Sequence, residues 1–155
     1  MKMDRKKLIF CLALPLAAGG VSSLLSGGME AYGTLQRPPL SPPGWLFPIV
    51  WTVLYLLMGY ASYRVLVSGA EKRLVQSAWA LYGAQLLANF IWPLIFFGGQ
   101  LYLTALIWLT VLWVLIFLTI RVFSEVDEAA GDLLIPYILW VTFAWYLNLG
   151  IFLLN

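Results

Sequence analysis

Three tryptophans lie deep within long apolar segments of the chain, at Trp51, Trp92 and Trp140. Tryptophans that anchor a protein at a membrane surface stand near the ends of such segments, and these three lie further in. Two carboxamides, Gln85 and Asn89, are four residues apart and therefore share one face of a helix. Indole rings combined with a few amide groups suit a planar, apolar ligand. The alternative is that the amides hydrogen-bond neighbouring helices within a bundle.

Other residues share the helix faces that carry these indoles. Tyr55 follows Trp51 by four residues, and Ala144 and Leu147 follow Trp140 by four and seven. We therefore count Tyr55 among the candidate ligand-binding residues, while Ala144 and Leu147 form a stripe with Trp140.

The composition excludes several kinds of reactive site. The sequence contains no histidine and a single cysteine, Cys11. Nucleophilic sites that pair serine or cysteine with histidine, histidine-ligated haem and the usual zinc sites are thereby excluded. We expect no metal site and no resident cofactor. Charged residues are also absent between Arg73 and Arg121, which argues against an ion-coupled transporter.

The elements that must position these residues are membrane-spanning helices. The chain has 155 residues, of which 63% are hydrophobic and 10% charged, whereas soluble proteins are about 25% charged. Backbone polar groups in lipid must be satisfied within the segment, so the long apolar runs predict an all-α, integral membrane bundle of five helices. We predict one domain over residues 1–155. The predicted helices cover residues 8–25, 45–67, 77–97, 101–122 and 133–154, with a loop at 26–43.

The first segment, with its basic start and Ala17-Ala18-Gly19-Gly20, also resembles a secretory signal peptide. It runs on to Leu25, which is longer than a usual signal core. The segment from Ser124 to Asp132 is polar and acidic, and we predict it to be a loop.

Lysine and arginine are distributed unequally between the two sides of such a bundle. Arg37 alone falls on the side of the loop 26–43. The positive-inside rule therefore predicts a cytoplasmic N-terminus. The small net charge of +2 gives no indication of nucleic-acid binding. The basic residues predicted on the cytoplasmic side are Lys2, Arg5, Lys6, Lys7, Arg64, Lys72, Arg73 and Arg121.

Small residues recur along the third predicted helix. Ala80, Ala84 and Ala88 are spaced by four, with Gly83 beside them. Such a pattern allows another helix to approach closely. It fits packing within one chain and a homodimer contact equally well.

Three stretches of the sequence together closely resemble the translocator protein family, also called TspO, tryptophan-rich sensory proteins or peripheral-type benzodiazepine receptors. They are PPGWLFPIVWTVLYLLMGYASY (residues 42–63), LYGAQLLANFIWPLIFFG (81–98) and LLIPYILWVTFAWYLN (133–148). The resemblance implies a five-helix membrane bundle, usually dimeric through the third helix. It also implies binding of porphyrins such as protoporphyrin IX, beneath a lid formed by the loop 26–43. Carried over by position, the pocket residues are Tyr32, Trp51, Asn89, Trp92, Trp140, Ala144 and Leu147.

The resemblance also implies an alternative activity. Some bacterial members are thought to degrade protoporphyrin in light, which would give Trp51 and Trp140 a catalytic role. A regulatory membrane scaffold is a third alternative. The end of the chain, LNLGIFLLN, lacks the tyrosine and basic residue of the family's cholesterol motif. We therefore expect a prokaryotic member in a bacterial cell membrane, with an outer membrane as the other possibility.

Overall fold

The computed structural model describes residues 3–155, and Lys2, which the charge argument includes, lies outside them. The described chain is all-α and contains no β-strand in that range, so the predicted fold class is confirmed. Five helical segments are long and apolar enough to cross a bilayer. They are Arg5–Leu25, Leu46–Leu66, Lys72–Gly98, Tyr102–Val126 and Glu128–Leu154.

The helices follow one another with short connections. The elements are α1 (Arg5–Leu25), a 3₁₀ turn (Glu30–Thr34), α2 (Leu46–Leu66), α3 (Lys72–Pro93), a π-helical turn (Leu94–Gly98), α4 (Tyr102–Val126), α5 (Glu128–Asp132) and α6 (Ile135–Leu154). Helix α1 packs mainly on α2, α3 on α4, and α4 on α6. Large apolar side chains such as Leu24, Ile107 and Leu139 are exposed on the outside of the bundle, as expected of a surface that faces lipid.

Local chemistry explains where several helices begin and end. The Asp4 carboxylate accepts a hydrogen bond from the Lys7 amide at 3.2 Å and caps α1. Gly27 and Gly28 follow α1 with φ of 87° and 78°, a conformation that glycine adopts without a steric penalty. Helix α3 ends at Pro93 and continues as the π-helical turn. Proline provides no backbone N–H, so regular α-helical bonding is interrupted there.

Hydropathy underestimates the length of the helices, because it misses their polar ends. Helix α3 begins at Lys72 rather than 77, and α4 continues to Val126 rather than 122. The segment Ser124–Asp132, predicted as a loop, is largely helical, because α5 occupies Glu128–Asp132. The Asp127 carboxylate caps α5 by accepting from the Ala129 amide at 3.2 Å. Helical hydrogen bonding therefore extends past the apolar stretch on which the prediction depends.

Helices α1 and α2 approach each other closely at Gly59. A Cβ atom on Gly59 would lie 2.5 Å from the Cys11 carbonyl oxygen and 2.8 Å from the Leu12 Cα atom. Ordinary contacts between such atoms are about 3.5 Å or longer. The absence of a side chain at Gly59 thus permits the backbones of the two helices to touch.

Candidate ligand cavity

A cavity of about 300 Å³ lies between the helices, beneath the loop that connects α1 and α2. All of the long helices contribute to its walls, and the 3₁₀ turn contributes Tyr32. The lining is predominantly apolar and aromatic. Its volume and character are those of small-molecule sites in proteins, which span about 300–1,000 Å³.

The three indoles identified in the sequence meet in this cavity, each from a different helix. Trp51, Trp92 and Trp140 all line it. The Trp51 ring lies 5.5 Å from the Tyr55 ring, and the Trp140 ring lies 5.8 Å from Phe47 in an edge-to-face contact. Aromatic contacts of this kind hold rings in fixed orientations. The cavity therefore has rigid, flat walls.

The indole N–H groups differ in what they bind. Trp92 Nε1 donates to Asn148 Oδ1 at 3.1 Å, and the Asn148 amide in turn donates to the Tyr102 carbonyl at 2.9 Å. Trp140 Nε1 is buried and has no hydrogen-bond partner among residues 3–155. Buried donors without a partner are rare in folded proteins. Trp140 thus combines a ring that lines the cavity with an N–H that is enclosed by protein and unpaired among the described residues.

A chain of hydrogen bonds leads from the cavity wall into the bundle. The Tyr55 hydroxyl donates to Asn89 Oδ1 at 3.1 Å, and Asn89 Nδ2 donates to the Tyr137 hydroxyl at 2.7 Å. The Tyr137 hydroxyl donates to Gln85 Oε1 at 2.7 Å. Tyr55 and Asn89 line the cavity, whereas Tyr137 and Gln85, each 1% exposed, lie behind it.

The loop that covers the cavity is attached both to itself and to α6. Tyr32, 3% exposed, donates its hydroxyl to the Pro42 carbonyl at 2.7 Å. The Arg37 guanidinium lies 4.6 Å from the centre of the Tyr32 ring, a favourable cation–π contact. From α6, the Tyr146 hydroxyl donates to the Pro39 carbonyl at 2.6 Å. Beyond α6, Asn155 Nδ2 donates to the Gln36 carbonyl at 2.8 Å.

The structure brings together most of the residues predicted for the site. Gln85 is the exception, because its side chain lies behind Tyr137 rather than in the cavity wall. The predicted residues that line the cavity are Tyr32, Trp51, Tyr55, Asn89, Trp92, Trp140, Ala144 and Leu147.

Several residues at the cavity were not among the predicted site residues. Phe47, Phe96 and Asn148 line it, and Tyr137 supports it from behind. Tyr137 precedes Ala144 by seven residues and Asn148 by eleven, spacings that place the three on one face of α6. That periodicity is the pattern that could have identified Tyr137.

The ladder of small residues on α3 is divided between two surfaces. Ala80, Gly83 and Ala84 are exposed on the outside of the bundle. Ala88 is 4% exposed, and its carbonyl accepts a hydrogen bond from Trp108 Nε1 of α4 at 2.8 Å. Ala88 therefore packs within the chain and is not part of the outward-facing surface.

Comparisons with known proteins agree with the geometry. The profile of the TspO/MBR family matches residues 11–154. The chain is 41% identical over 150 residues to the tryptophan-rich protein TspO of Chlorobaculum tepidum, covering 96% of this chain and 95% of that protein. It is 37% identical to a tryptophan-rich sensory protein of Cereibacter sphaeroides, with 100% and 95% covered. It is also 37% identical to the translocator protein of Bos taurus, with 78% and 72% covered.

Proposed function

Because this chain belongs to the TspO/MBR family and is an integral membrane protein with five spanning helices, we propose that its cavity binds protoporphyrin IX or a similar flat tetrapyrrole. The observation that carries the proposal is the convergence of Trp51, Trp92 and Trp140 on one apolar cavity. Flat aromatic walls complement the faces of a macrocycle, and burial of both apolar surfaces stabilises the complex.

The polar groups around the cavity also fit such a ligand. Asn89 and Asn148 place carboxamide groups in the cavity lining, and an amide N–H can bond to a carboxylate or carbonyl oxygen. Arg37 lies on the covering loop, 4.6 Å from the centre of the ring of Tyr32, which lines the cavity. Its charge favours the anionic propionates of a porphyrin. We infer a role in sensing, sequestering or moving tetrapyrroles.

The test is a titration of the purified protein with protoporphyrin IX, followed by tryptophan fluorescence. Saturable quenching at micromolar porphyrin is expected. Trp51→Ala should weaken binding about tenfold, since an aromatic contact and its buried area are lost. Trp79→Ala is the matched control, because Trp79 packs on Tyr82 outside the cavity. Absence of saturable quenching would refute the proposal and leave a regulatory scaffold as the remaining hypothesis.

A second candidate is light-dependent degradation of the bound porphyrin, favoured by the position of Trp51 and Trp140 on the same cavity. An indole in contact with an excited porphyrin can donate one electron to it, which gives an indole radical cation and a porphyrin radical anion. Dissolved dioxygen is the oxidant that would then consume the porphyrin. Double replacement, Trp51→Phe with Trp140→Phe, should then slow light-dependent porphyrin loss more than it weakens binding. Loss no faster than in detergent alone would exclude this activity and leave binding in place.

We further propose an orientation in a bacterial cell membrane. Arg5 at the start of α1, Lys72 at the start of α3 and Arg64 at the end of α2 share one end of the bundle, where Arg64 Nε pairs with Asp127 at 2.8 Å. The positive-inside rule puts this end in the cytoplasm. The cavity and its covering loop then face the opposite side.

A homodimer is also proposed, formed through the exposed part of α3. Ala80, Gly83 and Ala84 leave a shallow surface there, and a Cβ atom on Gly83 would meet nothing within 4 Å. Surfaces of small residues allow close helix contacts in lipid. The proposed dimer contact excludes Ala88, which faces α4.

A further inference from the structure

The hydrogen-bond chain from Tyr55 to Gln85 has a direction. Each donor in it points away from the cavity, from Tyr55 to Asn89, then to Tyr137, then to Gln85. A phenol has one proton to donate, and that of Tyr55 is used on Asn89. Tyr55 lines the cavity, and toward a ligand there its oxygen has only lone pairs to offer, so it can act only as an acceptor.

The same atoms can support the opposite direction. A carboxamide exchanges its donor and acceptor when it turns over about its last bond, and a phenol proton can re-aim. If both amides turn, Gln85 donates to Tyr137, Tyr137 to Asn89, and Asn89 to Tyr55. The Tyr55 hydroxyl would then donate into the cavity. The hydrogen-bonding groups all keep their places, except that the oxygen and the nitrogen of each amide exchange positions.

Gln85 is the last group of this hydrogen-bond chain, at the end that determines the direction of the bonds. Its side chain is 1% exposed, and Nε2 has no hydrogen-bond partner among residues 3–155. In the opposite arrangement Nε2 is satisfied by Tyr137, and Oε1 is left without a partner instead. Each arrangement leaves one group of Gln85 unpaired. The acceptor that Gln85 offers to Tyr137 is what holds the observed direction.

We propose that Gln85 is a positioning residue that sets the direction of this chain, and so makes Tyr55 an acceptor toward the ligand. The inference rests on the proposed function, since it concerns which ligand the cavity prefers. An acceptor at Tyr55 predicts a ligand with an N–H or O–H group opposite it. A ligand presenting only an acceptor there would face the lone pairs of the phenol and bind less well.

The direction of the chain can be measured without a ligand. Gln85→Leu removes the acceptor for Tyr137, whose buried hydroxyl must then donate to Asn89, so the chain reverses. Infrared spectra of protein carrying ring-¹³C tyrosine report the C–O stretch, which differs between donating and accepting phenols. Subtracting the spectrum of Tyr55→Phe isolates the Tyr55 band. We expect this band to shift in Gln85→Leu and in Gln85→Met, which preserves side-chain length.

Asn148→Leu is the matched control for the infrared measurement, because Asn148 is a buried amide bonded to Trp92 and Tyr102 instead. Its removal should leave the Tyr55 band in place. Circular dichroism establishes that each variant is folded. A Tyr55 band unchanged in both folded Gln85 variants overturns the inference, whether or not porphyrin binds.

Ligand preference is measured with two porphyrins that replace the vinyl groups of protoporphyrin by 1-hydroxyethyl or by acetyl groups. The two substituents are similar in size, but acetyl offers only an acceptor. Wild-type protein should bind the hydroxyethyl porphyrin about tenfold more tightly, a ratio that falls to about one in Gln85→Leu and in Tyr55→Phe.

The infrared measurement and the binding measurement test the inference and the proposed function separately. A shifted band with no binding of either porphyrin refutes tetrapyrrole binding and leaves the directional role of Gln85 intact. A shifted band with an unchanged binding ratio overturns the role of Gln85 in ligand preference.

Discussion

Gly59→Ala tests whether the close contact of α1 and α2 is a structural requirement. The added Cβ would lie 2.5 Å from the Cys11 carbonyl oxygen and 2.8 Å from the Leu12 Cα atom. Ordinary contacts are about 3.5 Å or longer, so the two helices must separate by about 1 Å. Both obstructing atoms belong to backbone, which cannot rotate away as a side chain can. Overpacking of this kind costs about 1–3 kcal/mol.

Gly20→Ala is the matched control, because a Cβ atom there would meet nothing within 4 Å. Both substitutions replace a helical glycine by alanine, so the gain in helix propensity of up to about 1 kcal/mol is shared. The difference between the variants isolates the contact. For a chain of this length, about 1–3 kcal/mol corresponds to a melting temperature about 2–12 °C lower for Gly59→Ala than for Gly20→Ala.

The assay is thermal unfolding of both variants in the same detergent, followed by circular dichroism. Equal melting temperatures would refute the reasoning, since they would mean that α1 moves aside without cost. Gly59→Ser provides a second measurement, because it adds the same Cβ atom and should be destabilised at least as much.

Two further predictions concern the loop and the dimer. Gly150→Val should displace Pro38, whose ring occupies the space where a Cβ atom would be, and should therefore speed porphyrin dissociation and chymotrypsin cleavage of the loop after Tyr32. Unchanged rates of both in stopped-flow and proteolysis experiments would contradict the role of this contact in holding the loop closed. Gly83→Phe should shift the protein from dimer to monomer in light-scattering measurements, with little change in melting temperature, because this position is open within one chain. A dimer that persists would place the interface elsewhere.

The number and approximate position of the spanning helices could be predicted from the sequence because they follow from local properties. A run of about 20 apolar residues is long enough to cross the bilayer, and its backbone must be helical there. The ends could not be predicted as well. Lys72 and Val126 extend their helices beyond the hydropathy limits, since helical hydrogen bonding continues into polar residues. The Val75 amide bonds to the Glu71 carbonyl at 3.1 Å, and the Asp127 amide bonds to the Phe123 carbonyl at 2.8 Å.

The candidate site, like the helices, could be predicted from the sequence only in part. Helical periodicity correctly groups Trp51 with Tyr55 and places Asn89 near Trp92, and these residues line the cavity. Periodicity gives the face of a helix but not what that face meets. Gln85 shares the face of Asn89 in the sequence pattern, yet in the structure it lies one layer deeper, behind Tyr137.

The sequence alone thus determined a membrane bundle rich in indoles, because composition and spacing act over a single helix. Only the tertiary structure decided which polar groups are partnered. Tyr137 reaches Asn89 across 48 residues of chain and Gln85 across 52. Ala88 turns inward toward Trp108 while its neighbours Ala84 and Gly83 face outward. Such contacts depend on how helices rotate and approach one another, which is set by the packing of the whole bundle rather than by any one segment.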